Sequence, residues 1–144
     1  MSISASIDLA INTTISPLIL TIIRILLAAG WGFKYEQFSS YLPLGDNDDF
    51  DWKIEKIEDI NLLEILAEKE KLGELIGVAM VWKNTGSGGT FLFHNDGSIS
   101  ISLSINRKKI EEKFTDVNWY IDKLISPLIE AKIIIESFVF SEHI

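Results

Sequence analysis

From Ser98 to Ile105 serine alternates with isoleucine or leucine without a break: Ser98, Ile99, Ser100, Ile101, Ser102, Leu103, Ser104, Ile105. Side chains of an extended strand point alternately to its two faces, so a period of two marks a strand with one row toward a core. The same period runs through the N-terminal segment. There Ile3, Ala5, Ile7, Leu9 and Ile11 alternate with Ser2, Ser4, Ser6, Asp8 and Ala10. Leu75 to Trp82 reads as a nearly continuous apolar strand, Lys83 to Gly89 as a flexible glycine-rich connection, and Thr90 to His94 as the return. Asn95-Asp96-Gly97 then supplies a hairpin turn into the alternating segment. Three consecutive antiparallel strands are expected.

Helices are marked by their ends. Ser16-Pro17 offers an N-cap followed by proline at the first helical position, and Gly30 stops the apolar run that follows. Asp59 or Asn61 caps a second helix reaching Lys71, with Leu62, Leu63, Ile65 and Leu66 inward, a charged outer face and Gly73 as its end. Thr115 or Asp116 caps a third, in which Val117, Tyr120, Ile121, Leu124, Ile125 and Leu128 recur at helical spacing. Trp31 to Tyr41 reads as an aromatic strand, a turn and a return strand. Phe50 to Ile57 is a short strand, and Lys132 to Phe140 the last one. The order β-α-β-β-α-β-β-β-α-β predicts an α+β fold, one domain over 1–144, with helices packed on one face of a mostly antiparallel sheet.

Charge is distributed unevenly. The segment from Asp46 to Glu74 holds eleven of the chain's 21 carboxylates and four lysines, Lys53, Lys56, Lys69 and Lys71, so nearly all of the net charge of −8 lies there. Such a run is either a solvated face or a surface for a basic partner. Carboxylates set around Phe50 and Trp52 join electrostatic steering to an aromatic anchor. The candidate interface is Asp46, Asp48, Asp49, Asp51, Trp52, Glu55, Glu58 and Asp59.

Other chemistries lack their residues. No cysteine is present, which excludes disulfides and thiolate chemistry. Asp46 and Asp48 fit the first positions of a calcium loop, but Phe50 stands at the third and the required glycine is missing, so no metal is expected. Ser87 lies outside a nucleophile elbow, and its loop lacks the Gly-Lys-Ser/Thr ending of a phosphate loop. His94, before the hairpin turn, and His143, near the C-terminus, show no partner. Neither a catalytic residue nor a cofactor is assigned. Arg107, Lys108, Lys109 and Lys113 have no interleaved stacking aromatics and read as a solvated loop, and the sequence pI of about 4.7 opposes nucleic-acid binding. Ile15 to Ala29 contains Pro17 and Arg24 and is shorter than the ~20 residues of a spanning helix, so no membrane association is expected. No basic residue precedes Arg24 as a signal peptide would need, and the expected location is the cytoplasm.

Three stretches carry a family resemblance: Gly30-Trp31-Gly32-Phe33 after an apolar helix, Tyr41-Leu42-Pro43-Leu44-Gly45-Asp46 into an acidic strand, and Thr115-Asp116-Val117-Asn118-Trp119-Tyr120 before Ile135-Glu136-Ser137-Phe138. In these the chain resembles the small cytoplasmic immunity proteins that bacteria encode beside polymorphic toxins, including contact-dependent growth inhibition systems. The resemblance implies a non-enzymatic partner of the toxin domain of a secreted effector, blocking its active site or substrate path. Many such toxins are nucleases with basic grooves, which an acidic inhibitor suits. The alternatives are a small hydrolase or transferase using His94 with Asp96 or a nearby glutamate, and a homo-oligomeric adaptor domain. The oligomeric state is left open.

Overall fold

The structure, a computed structural model, describes residues 3–12 and 14–144. It is α+β: among the described residues nine strands form one sheet, in which β11-β1-β8-β7-β6-β4-β3 are successive neighbours, β2 pairs with β6 and β5 pairs with β4. Every pairing is antiparallel. The long strands are β1 (Ser4–Ile11), β6 (Ile76–Trp82), β7 (Ser87–Phe93), β8 (Ser98–Ile105) and β11 (Ile135–His143). The short ones are β2 (Trp31–Gly32), β3 (Lys34–Tyr35), β4 (Phe38–Tyr41) and β5 (Lys53–Glu55). β9 (Lys109–Ile110) and β10 (Phe114–Thr115) form a separate hairpin.

The alternating segments behave as their period requires. Ile99, Ile101 and Leu103 are buried, as are Ala5, Ile7, Leu9 and Ile11. Directly opposed residues share a face, so Ile7 beside Ile101 and Leu9 beside Ile99 make one dry row. The other row, with Ser6 opposite Ser102 and Asp8 opposite Ser100, lines the outer face. Ser2, expected to begin that row, lies outside the described residues.

Among the described residues three helices cover the dry face. α1 (Leu18–Ala29) and α2 (Asp59–Lys71) are joined by a third helical stretch, α3 (Val117–Tyr120), a π-helical segment (Ile121–Ile125) and α4 (Ser126–Glu130). Leu9, Phe91, Phe93, Ile99 and Ile101 of the sheet meet Ile22 and Leu26 of α1 and Leu124 and Leu128 of the third helix at the centre of the core. No helix among the described residues is long and apolar enough to cross a membrane.

Several expected boundaries move. Pro17 stands at the N-cap of α1 rather than at its first helical position, and no side chain of that turn caps the helix. The cap comes from α2, whose Glu70 carboxylate accepts the N–H groups of Ile19 (2.8 Å) and Leu20 (3.0 Å). An anion from another helix thus meets the free N–H groups and positive end of α1. α2 begins at Asp59 with Glu58 at its N-cap and no capping side chain, so neither Asp59 nor Asn61 has the expected role. The strand expected over Phe50–Ile57 shrinks to Lys53–Glu55, because Phe50 turns the chain at φ +56°. The last strand starts at Ile135 rather than Lys132, since the Lys132 and Ile133 N–H groups return to Ile129 and Leu128. The glycine-rich connection is not a flexible loop beyond Gly86. Gly88 and Gly89 lie within β7, where an added Cβ would come within 2.0 Å of the Met80 and Ser102 carbonyl oxygens.

Candidate functional site

The acidic segment leaves the sheet after Tyr41, crosses β6 and returns as β5. Gly77 permits the crossing: a Cβ there would meet Leu42 at 2.7 Å and the Trp52 ring at 2.8 Å. Trp52 is accordingly half-buried, its indole against β6, and not a free anchor.

A buried lysine organises the loop. Lys69 of α2 is fully excluded from solvent, and its ammonium donates to the carbonyls of Pro43 (2.8 Å) and Asp46 (2.6 Å) and to Glu74 Oε1 (3.0 Å). An ammonium has three donors, and all three are used. Glu74 Oε1 also accepts the Gly45 N–H (2.9 Å), and Asn47 Oδ1 accepts the Leu75 N–H (2.8 Å). Burial pushes the Glu74 carboxyl up, but the Gly45 N–H and the Lys69 ammonium outweigh it and hold it below the ordinary glutamate value.

Asp46, the first residue of the expected interface, points inward. It is 5% exposed, and its carboxylate accepts the N–H groups of Asp49 (3.0 Å), Phe50 (3.2 Å) and Asp51 (2.7 Å). These bonds bend the chain so that Asp48, Asp49 and Asp51 face solvent around Phe50, which is 48% exposed. Glu55 is half-buried and accepts the Tyr41 hydroxyl, while burial and this neighbouring carboxylate push the Tyr41 phenol up to about 12. Glu58 and Asp59 are exposed, Asp59 paired with Lys34 at 3.2 Å. Ile54 opposes Ser40 and shares the outer face with Phe38; these two are 72% and 44% exposed. The eight expected residues therefore divide into a framework, Asp46, Trp52 and Glu55, and a rim, Asp48, Asp49, Asp51, Glu58 and Asp59, mixed with exposed apolar side chains.

His94 lies next to this rim, with Asn47, Asp48 and Phe50 lining the same shallow depression. It does not meet His143. The His94 N–H bonds to Ser98 at one end of β8, whereas His143 lies beside Ser4, Ser102 and Ser104 at the other. Asp96 is occupied in the hairpin, accepting the Ser98 N–H at 2.9 Å. The Ser87 hydroxyl donates to the Asn106 carbonyl at 2.7 Å. No cluster of three His, Asp or Glu side chains fit to hold a metal occurs among the described residues.

The basic segment differs from its expected form. Aromatic rings do lie among its lysines in space: Lys108 is over Trp119 (5.5 Å to the ring centre) and Lys113 over Phe114 (5.0 Å). Lys83 and Lys123 both lie over Trp82, at 5.0 Å each. Trp31 stands between the two indoles, edge-on to each, and its Nε1–H donates to the Lys123 carbonyl (2.8 Å) in the π-helical segment. These lysines rest on the protein's own rings.

Comparison with protein-family models, with curated proteins and with solved structures finds no match to this chain.

Proposed function

We propose that the chain is a cytoplasmic immunity protein, which binds the toxin domain of a secreted effector and neutralises it without chemistry of its own. The rim of Asp48, Asp49, Asp51, Glu58 and Asp59 is the toxin-binding surface, with Phe50 and Ile54 as its apolar contacts. A basic nuclease groove is the complementary target. The observation that supports this reading is the rim's rigid support. Asp46, Lys69 and Glu74 fix the loop from inside, so its carboxylates are held outward before any partner arrives. Ordering a loop on binding costs affinity, and a loop already ordered escapes that cost. Exposed aromatic and aliphatic side chains among charges also match the make-up of tight interfaces.

The test is co-expression with the product of the gene immediately upstream, followed by calorimetry and binding kinetics at two salt concentrations. One-to-one, salt-sensitive binding that abolishes the toxin's activity is expected. Reversing Asp48, Asp49 and Asp51 together to lysine should slow association by about tenfold or more and flatten the salt dependence. Unchanged association by the reversed variant would remove the rim from the interface.

A further inference from the structure

The two edges of the sheet are built differently. At one, β3 has two residues and β5 three, with Lys34 and Lys53 among them. Short strands bearing lysine are how native sheets discourage edge-to-edge pairing. At the other edge β11 runs for nine residues with one register shift, at Glu136, and among the described residues β1 is its only strand neighbour. From Ile134 to Ile144 it contains no lysine, arginine or proline. Ile134 is 60% exposed, Val139 50%, Phe138 37% and Ile144 68%.

The middle of this edge reads the same in both directions. Glu136-Ser137-Phe138-Val139-Phe140-Ser141-Glu142 is a palindrome centred on Val139, and it ends where Ile135 mirrors His143. In antiparallel pairing of a strand with its own copy, a two-fold axis through one residue sets each position opposite its mirror position. An axis at Val139 places Val139 on Val139, Phe138 opposite Phe140 and Ser137 opposite Ser141. Phe138 and Phe140 lie opposite Leu9 and Ile7, on the helix-covered face. The four rings of two copies would therefore form one cross-strand row at the margin of both cores. The β1–β11 register shifts at Glu136, so the mirrored pairing runs from Ser137 to Ser141. Just beyond it, the Glu142 charge is already met by the Thr115 N–H and hydroxyl (2.9 and 2.7 Å) and by Arg107 (3.5 Å).

We infer that β11 is a homodimerisation edge, pairing antiparallel with β11 of a second copy about a two-fold axis at Val139, so that one sheet runs through both molecules. The acidic rim lies at the opposite side of the sheet, beside β5, and stays open in the dimer. The inference does not depend on what the rim binds.

Sedimentation or light scattering over a concentration series tests the state. The mass should rise from 16.3 kDa toward twice that value. Val139→Lys should keep it at one chain at all concentrations. That variant is expected to fold, since Val139 is half-exposed and stands opposite Asp8 on β1. The register has its own test, made clean by the absence of native cysteine. Directly opposed strand residues have Cα atoms about 4.5–5.5 Å apart, within the range a disulfide spans. Val139→Cys should thus link two chains under mild oxidation. Ser137→Cys should not, because it would be displaced from its own copy by about 13 Å along the strand. A single-chain mass throughout would overturn the inference, and so would equal cross-linking of the two cysteine variants.

Discussion

The loop around Lys69 and the hairpin around Arg107 use the same parts in different surroundings. Each ties a connecting segment to a neighbouring element through one cation, one glutamate and at least one main-chain carbonyl. Lys69 reaches the Pro43 and Asp46 carbonyls and Glu74. Arg107 reaches the Lys113 carbonyl (3.1 Å), the Thr115 hydroxyl (2.8 Å) and Glu142. They differ in water: the Lys69 side chain is 0% exposed and that of Arg107 12%. A charge with no access to solvent depends on its partners completely, whereas one at the surface can exchange a lost partner for water. The difference also bears on function. The buried knot holds the acidic rim, and the wetter one holds the end of β11 through Glu142.

Lys69→Met should give the largest effect. It leaves the Pro43 and Asp46 carbonyls without a donor and Glu74 without its counter-ion, at a cost of about 3–5 kcal/mol in urea unfolding. A loss below about 1 kcal/mol would mean that water already serves those groups. Arg107→Ala should cost about 1–2 kcal/mol, since water can reach the groups it leaves. Its wider consequence is local: with Glu142 less firmly held, the disulfide between two Val139→Cys chains should form more slowly. Equal losses for the two substitutions would break the comparison, because burial would then not be what separates them.

Regular elements were legible in the sequence and these knots were not. β8 spans Ser98–Ile105, the residues its period marks, because a strict alternation admits one register against a core. Helix ends were harder to place. The group that caps α1 is Glu70, 51 residues from the N–H it binds, so local spacing pointed to Ser16 and Pro17 instead. Lys69 occupies what reads as the charged face of α2, and only the folding of residues 43–46 over it makes that position internal. For the same reason, composition located the acidic run but did not separate the inward Asp46 from the outward Asp48, Asp49 and Asp51. Of the two lysines stacked on Trp82, Lys83 is its neighbour in sequence, but Lys123 comes from the π-helical segment, which no reading of one segment brings to the ring. The palindrome of β11 is present in the sequence, but its meaning depends on that strand lying at an edge.

Acid titration gives the smallest effect and the sharpest form of the comparison. Thr115, with Arg107, holds the Glu142 carboxyl below the ordinary value against the opposing effect of burial, and Glu74 is depressed likewise. A carboxyl with a lower pKa folded than unfolded stabilises the fold above the unfolded value of about 4.5, and that contribution disappears as pH falls through the folded value. Glu74→Gln and Glu142→Gln should each be less stable than the parent at pH 7, and the gap should narrow as pH drops below about 4.5. Above pH 6 the gap should be flat, since both states are then ionised at these positions. The Glu74→Gln gap should be the larger, because it leaves the fully buried Lys69 without a counter-ion, whereas Arg107 keeps some contact with water. Urea midpoints measured from pH 3 to pH 7 check both points. If the Glu142→Gln gap matched or exceeded that of Glu74→Gln, the stronger coupling would lie at the β11 edge rather than under the acidic rim.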